Sequence, residues 1–179
     1  MMKLIFLLAA VAAGALFWIS VARAGDTPNI GDAAPGFSLP DQNGVVRHLG
    51  DFSDKWLVLY FYPKDDTPGC TEQACTFRDD LHQLTAMGAG VVGVSVDDSS
   101  SHAEFAKKYH LPFPLLADTK GEVAERYGSI LNLGLFKLAR RNTFLINPQG
   151  KIARVYLKAN TSRNSKDVIE DLKQLTAVK

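Results

Sequence analysis

The stretch Tyr62–Asp79, YPKDDTPGCTEQACTFRD, decides how this chain is read. It holds both cysteines of the sequence, Cys70 and Cys75. The run that leads into it, Trp56 to Tyr62, is aromatic and aliphatic and short enough to be a buried strand. Pro63 ends that run, and Lys64 to Gly69 has the composition of a turn. From there the apolar residues Ala74, Phe77, Leu81 and Leu84 recur at spacings of three and four, which predicts one helix from about Cys70 to Met87. Cys70 is therefore expected where a strand and loop pass into a helix N-terminus.

That position carries chemistry. The first helical turn leaves backbone N–H groups unpaired, and its dipole favours negative charge, so a thiolate is stabilised there. Thr67, three residues earlier, offers a hydroxyl that both donates and accepts. The bland alternative is an inert buried thiol, the common fate of a free cysteine. Against it stand Pro68-Gly69 on one side and the helix start on the other. On one intact helix, Cys70 and Cys75 have Cα atoms about 8–9 Å apart on different sides, whereas a disulfide needs less than about 7 Å. The spacing is also wrong for a C-x-x-C pair and too sparse for zinc. Two readings stay open: a reagent cysteine with a resolving partner reached by local unfolding, or two unrelated thiols.

The 179 residues suit one domain with a substantial core, and the composition is 46% hydrophobic and 22% charged. Lys and Arg number 20 and Asp and Glu 19, so no basic surface calls for nucleic acid. His48, His82, His102 and His110 are scattered without metal-ligand spacing. Lys3, an apolar run over residues 4–21 and Ala22-Arg23-Ala24 before Gly25 describe a secretory signal peptide spanning residues 1–24. The run approaches the length of a membrane span, so a retained anchor over 4–21 is the alternative. Either way the domain, residues 25–179, is expected outside the cytoplasm, in the periplasm or held at the membrane. Export means an oxidising compartment, which makes a structural disulfide a rival reading of the two cysteines. The helix geometry counts against it.

Elsewhere, Phe37 to Leu39, the Asn43-Gly44 turn and Val45 to Leu49 read as a hairpin. Val91 to Val96 reads as a second buried strand, and Asp97 to Ser101 as a turn that caps a helix over Ser101 to Tyr109. A short strand at Leu115 to Ala117, a short helix at Glu122 to Tyr127 and an irregular stretch from Gly128 to Arg140 follow. Asn142 to Ile146 and Ile152 to Leu157 pair across a turn, and Ser165 to Thr176 is a last amphipathic helix. This order, β-α-β-α and then a hairpin and a closing helix, implies an α/β fold of the thioredoxin-like kind. Its central mixed sheet has helices on both faces, and the N-terminal hairpin is an extension.

With those elements placed, the sequence resembles the peroxiredoxins of the bacterioferritin comigratory protein or peroxiredoxin Q subgroup. The resemblance runs from about Ile30 to the last helix. It rests on Gly31-Asp32-Ala33-Ala34-Pro35, on the cysteine block, on GVSVDDSSSHAEFAKKYHLPFPLLAD and on RNTFLINPQGKI. Pro63, Thr67 and Cys70 reproduce the family's Pro-x-x-x-Thr-x-x-Cys pattern. The resemblance implies a thiol-dependent peroxidase with Cys70 as peroxidatic cysteine, Cys75 as resolving cysteine of an atypical two-cysteine form, and Arg141 as the active-site arginine. It implies a hydroperoxide substrate, a Cys70 sulfenic acid, a Cys70–Cys75 disulfide and a thioredoxin-like or other thiol reductant. No metal, haem or flavin cofactor is implied, and neither is nucleic acid. A monomer or weak dimer is expected, with membrane contact only if the leader is uncleaved. Two rivals are an exported thiol–disulfide oxidoreductase acting on proteins and a binding domain permanently stapled by its two cysteines.

The leader makes the first testable statement. N-terminal sequencing of the exported protein is expected to begin at Gly25; a start at Met1 would establish the anchor instead.

Overall fold

The computed structural model describes residues 25–134 and 136–177, so the leader expected at residues 1–24 lies outside the described residues. The core is a five-stranded sheet, β5-β4-β3-β8-β9. Its strands are β3 (Trp56–Phe61), β4 (Ala89–Ser95), β5 (Leu115–Ala117), β8 (Thr143–Ile146) and β9 (Ile152–Tyr156). β3, β4 and β5 run parallel, while β8 is antiparallel to both β3 and β9, so the sheet is mixed as the element order implied. Two small hairpins stand outside it: β1 (Ser38–Pro40) with β2 (Val46–His48), and β6 (Ile130–Asn132) with β7 (Lys137–Ala139).

β3 is central because it is apolar on both faces. Alternation sends Leu57, Leu59 and Phe61 into one core cluster and Val58, Tyr60 and Tyr62 into the other. Helices α1 (Pro68–Asp79), α2 (Leu81–Ala86), α3 (Ser99–Tyr109) and α5 (Asn164–Ala177) bury Phe77, Leu84, Phe105 and Val168 on the Tyr60 side. Helix α4 (Glu122–Arg126) packs Val123 and Ala124 on the opposite side, with Tyr127 and Phe144. Tyr60 stacks on Phe77 at 5.0 Å and on Tyr62 at 5.5 Å between ring centroids. This stack ties the strand that enters the cysteine loop to the helix that leaves it.

Three expectations need correction. The single helix from Cys70 to Met87 is two helices broken at Asp80, and the first begins at Pro68 rather than Cys70. Asp80 turns its carboxylate to accept from the Ser165 hydroxyl of α5 at 2.7 Å, and the break leaves the apolar spacing across it intact. Pro68 fits the first turn because its missing N–H has no helical acceptor to lose. The stretch from Gly128 to Arg140, expected to be irregular, holds the β6–β7 hairpin. Its strands are only three residues long, below the length at which alternation is readable.

Gly93 of β4 is required by packing. A Cβ there would lie 2.7 Å from the Tyr60 ring and 2.8 Å from Leu115. Gly93→Ala is expected to destabilise the fold by about 1–3 kcal/mol, read as a lowered urea midpoint. Gly90→Ala is the control: its added methyl would meet only Phe52, at 3.9 Å, and should change stability by less than about 0.5 kcal/mol.

Candidate active site

Cys70 is the third residue of α1 and is 1% exposed. Thr67 is the N-cap, in extended backbone at φ −90° and ψ 149°, and its carbonyl accepts the N–H of Thr71. The thiol thus sits in the first helical turn, where unpaired N–H groups favour an anion. Both cysteines are free thiols, Cys70 buried and Cys75 half-buried. They share the intact helix α1, where the five-residue separation of about 8–9 Å forbids a bond.

Arg141 reaches this sulfur from just ahead of β8, the strand paired antiparallel with β3. Its Nη2 donates to Cys70 Sγ at 3.3 Å. Its Nη1 donates to Gln73 Oε1 at 2.7 Å and to the Gly69 carbonyl at 3.4 Å. A Cβ on Gly69 would stand 3.3 Å from Arg141 Nη2, so glycine gives the guanidinium its room. Gln73 is fully buried, and its Nε2 donates to Asn164 Oδ1 at 2.8 Å. The same Asn164 oxygen accepts from the Thr143 hydroxyl at 2.7 Å. A polar relay from α5 through α1 therefore fixes the guanidinium against the thiol. Nothing in the sequence analysis pointed to Gln73 or Asn164. Gln73 sits one helical turn after Cys70, but only the tertiary fold brings Asn164 to it across the α1–α5 contact.

Thr67 is held differently. Its hydroxyl donates to the Lys64 carbonyl at 3.0 Å, and no hydrogen bond joins it to the Cys70 sulfur. With its proton so used, the oxygen is left as an acceptor. Pro63 and Arg141 line a surface depression of about 580 Å3 together with Leu131, Leu138, Arg140 and Lys158. Cys75 lies away from Arg141 and beside Arg78 on the same helix. Asp79 first, and the Cys75 sulfur after it, raise the Arg78 pKa above its ordinary value.

The two aspartates of the loop are structural. Asp65 is buried and accepts from Tyr62 Oη at 2.7 Å and Ser101 Oγ at 2.8 Å, with His102 Nδ1 also at 2.8 Å. Burial, followed by Tyr60 and Asp65, pushes the Tyr62 hydroxyl's pKa well up, so it stays a donor. Asp66 takes left-handed backbone at φ 55° and binds Lys108 Nζ at 2.7 Å and Tyr109 Oη at 2.6 Å. These bonds clamp the loop from α3 and hold Thr67 at the mouth of the helix. His102 is wholly buried, its Nδ1 2.8 Å from Asp65 Oδ2.

A mixed sheet with helices on both faces and a buried thiol at a strand–loop–helix junction under an arginine defines a thioredoxin-fold thiol enzyme. The chain matches the AhpC/TSA family over residues 30–155 and belongs to it. Its relatives include the bcp peroxiredoxin of Coxiella burnetii, 42% identical over 144 residues, covering 78% of this chain and 95% of that one. The chloroplastic peroxiredoxin Q of Populus jackii is 43% identical over 150 residues, covering 84% of this chain and 69% of that one. Among solved structures, peroxidoxin BcpB of Mycobacterium tuberculosis superposes with a TM-score of 0.78 at 34% identity, over 84% of this chain and 97% of that one. A cysteine-to-serine mutant of Xylella fastidiosa PrxQ gives 0.79 at 31% identity, over 85% and 99%. The chain is a peroxiredoxin of the Q/bcp kind, and hence a thioredoxin-dependent peroxidase and an oxidoreductase.

The relay is open to test. Gln73→Met removes both its bonds at near-constant volume, exposing the Asn164 oxygen to a lost donor and freeing Arg141 on one side. Stability is expected to fall by about 1–3 kcal/mol, and the reaction with peroxide to slow. Wild-type rate and stability together would show that the guanidinium is oriented by something else.

Proposed function

We propose that Cys70 attacks hydrogen peroxide and organic hydroperoxides, and that Cys75 then resolves the product. The observation that carries this reading is the 3.3 Å contact between Arg141 and the Cys70 sulfur at the start of α1. An arginine is always charged, so it stabilises the thiolate and then the charge that develops on the peroxide oxygens. The Thr67 oxygen, its own hydrogen donated to the Lys64 carbonyl, can accept the hydrogen of a hydroperoxide and so hold that same hydroxyl-bearing oxygen toward the sulfur. Pro63 borders the mouth without adding a donor that would compete for the substrate.

The thiolate forms an S–O bond as the O–O bond breaks, and the departing oxygen leaves as water or an alcohol. Cys70 becomes a sulfenic acid. The Cys75 sulfur then displaces water from it, forming the intramolecular disulfide. This second step cannot occur on the helix as it stands, so the first turns of α1 must unwind. A thioredoxin-type dithiol regenerates both thiols by exchange. The protein-disulfide oxidoreductase alternative lacks the C-x-x-C spacing and is not favoured. We place the domain in the periplasm, as the leader sequence suggests.

Cys70→Ser is expected to abolish thiol-dependent peroxide consumption, and Arg141→Ala to slow peroxide attack by about 10²–10³-fold in stopped flow. Cys75→Ser should still oxidise Cys70 for one turnover, seen by mass spectrometry, but form no intramolecular disulfide. Full activity in Cys70→Ser would refute the nucleophile, and an unaltered Arg141→Ala rate would refute the role of the arginine.

A further inference from the structure

The β6–β7 hairpin has an apolar face that the core does not use. Ile130 pairs with Ala139, Leu131 with Leu138 and Asn132 with Lys137. The Leu133 N–H donates to the Phe136 carbonyl at 2.8 Å, which continues the ladder by one more pair. Alternation puts Leu131, Leu138, Leu133 and Phe136 on one face, and Ile130 and Ala139 on the face packed into the core. On the outer face Leu131 is 38% exposed, Leu133 58% and Phe136 71%. Leu131 and Leu138 at its base line the depression shared with Pro63 and Arg141. An apolar strip thus runs from the hairpin tip to the guanidinium that touches Cys70. Clusters of this kind on a domain surface mark interaction sites.

The occupant is indicated by what surrounds the strip. Arg140 and Lys158, both exposed, line the same depression, and neither has an acidic side chain within ion-pair distance among the described residues. Leu157 beside Lys158 is 58% exposed. Exposed apolar side chains interleaved with unpaired cations suit an anionic lipid interface. The chain start points the same way. A Cβ on Gly128, two residues before β6, would lie 2.6 Å from the Thr27 nitrogen, so the N-terminal segment crosses the foot of this hairpin. The apolar run 4–21 ends six residues before Thr27, a reach of about 20 Å when extended. The hairpin is only about 13 Å long. In the alternative where residues 4–21 are retained as an anchor, that reach lets the hairpin tip touch the same bilayer; after cleavage the face and its cations alone would carry the docking.

We propose that the Leu131–Leu138 face of the β6–β7 hairpin docks on an anionic bilayer and presents the Arg141 depression to hydroperoxides carried on phospholipid acyl chains. The substrate half of this proposal rests on the peroxidase reading; the docking half does not. The chemistry balances as for any hydroperoxide. Sulfur gains one oxygen, the O–O bond breaks, and the lipid leaves as the alcohol after taking up a proton. Cys75 and the dithiol reductant then restore the thiolate.

The test uses the full chain in vesicles of phosphatidylcholine and phosphatidylglycerol. Trp18→Phe combined with Phe136→Trp places a fluorophore at the hairpin tip; Trp18→Phe alone reports Trp56 as background. Brominated acyl chains are expected to quench the tip fluorophore beyond that background. No added quenching would overturn docking, as would shielding of position 136 in vesicle-free detergent, which would show the face covered by a second copy. Leu133→Ser with Phe136→Ser should lower phospholipid hydroperoxide consumption at least about tenfold while hydrogen peroxide consumption stays within about twofold. Equal losses or no loss on either substrate would overturn the presentation of lipid peroxides. A wild-type chain that consumes neither peroxide would overturn the peroxidase reading and with it the substrate half, leaving docking to the quenching result.

Discussion

The contact between the Arg141 guanidinium and the Cys70 sulfur, 3.3 Å long, is what the rest of the structure serves. Neither partner could hold it alone. Cys70 is fixed by the first turn of α1, which is fixed by Thr67 and the clamped loop before it. Arg141 is fixed by Gln73, and Gln73 by Asn164, so three elements distant in sequence must be correctly packed before the cation meets the thiol. A bare arginine would sample many rotamers, and holding it costs side-chain entropy. The buried amide relay offsets that cost with hydrogen bonds made in a low-dielectric interior.

The same helix presents an opposing requirement. Folded, α1 holds Cys70 in its first turn and keeps Cys75 too far away to bond to it. The proposed disulfide demands that its first turns be lost. Cys70 stands in the first turn of α1, where backbone bonds are fewest and opening is cheapest, while Cys75 is the eighth of the helix's twelve residues. Phe77, Leu84 and the break at Asp80 lie downstream, with Phe77 stacked on Tyr60. In the proposed cycle that anchor would keep the remainder of the helix packed on the sheet while the first turns unwind.

Local patterns carried most of the fold. The apolar run of β3, the change of period at the cysteine block and the closing amphipathic helix each rest on residues adjacent in sequence. Cys70 and Thr67 were singled out by their place at the expected helix start, Pro63 and Arg141 through the family resemblance, and Arg141 does touch the thiol. What escaped was tertiary or short. Gln73 and Asn164 are ordinary polar residues until the α1–α5 contact joins them. The loop aspartates read as turn formers, because nothing local announces that His102 and Ser101 will close over Asp65. The β6–β7 hairpin was invisible because three-residue strands give no periodicity. The kink at Asp80 was hidden by a spacing that survives it.

The central claim is that the sulfurs meet only when the start of α1 yields. Hydrogen exchange along α1, compared between the reduced protein and the Cys70–Cys75 disulfide form, tests it most directly. The account predicts that amides at positions 70–75 are protected in the reduced state and exchange freely in the disulfide form, while β3 and α5 stay protected in both. A disulfide form whose first helical turns remain as protected as in the reduced protein would contradict it.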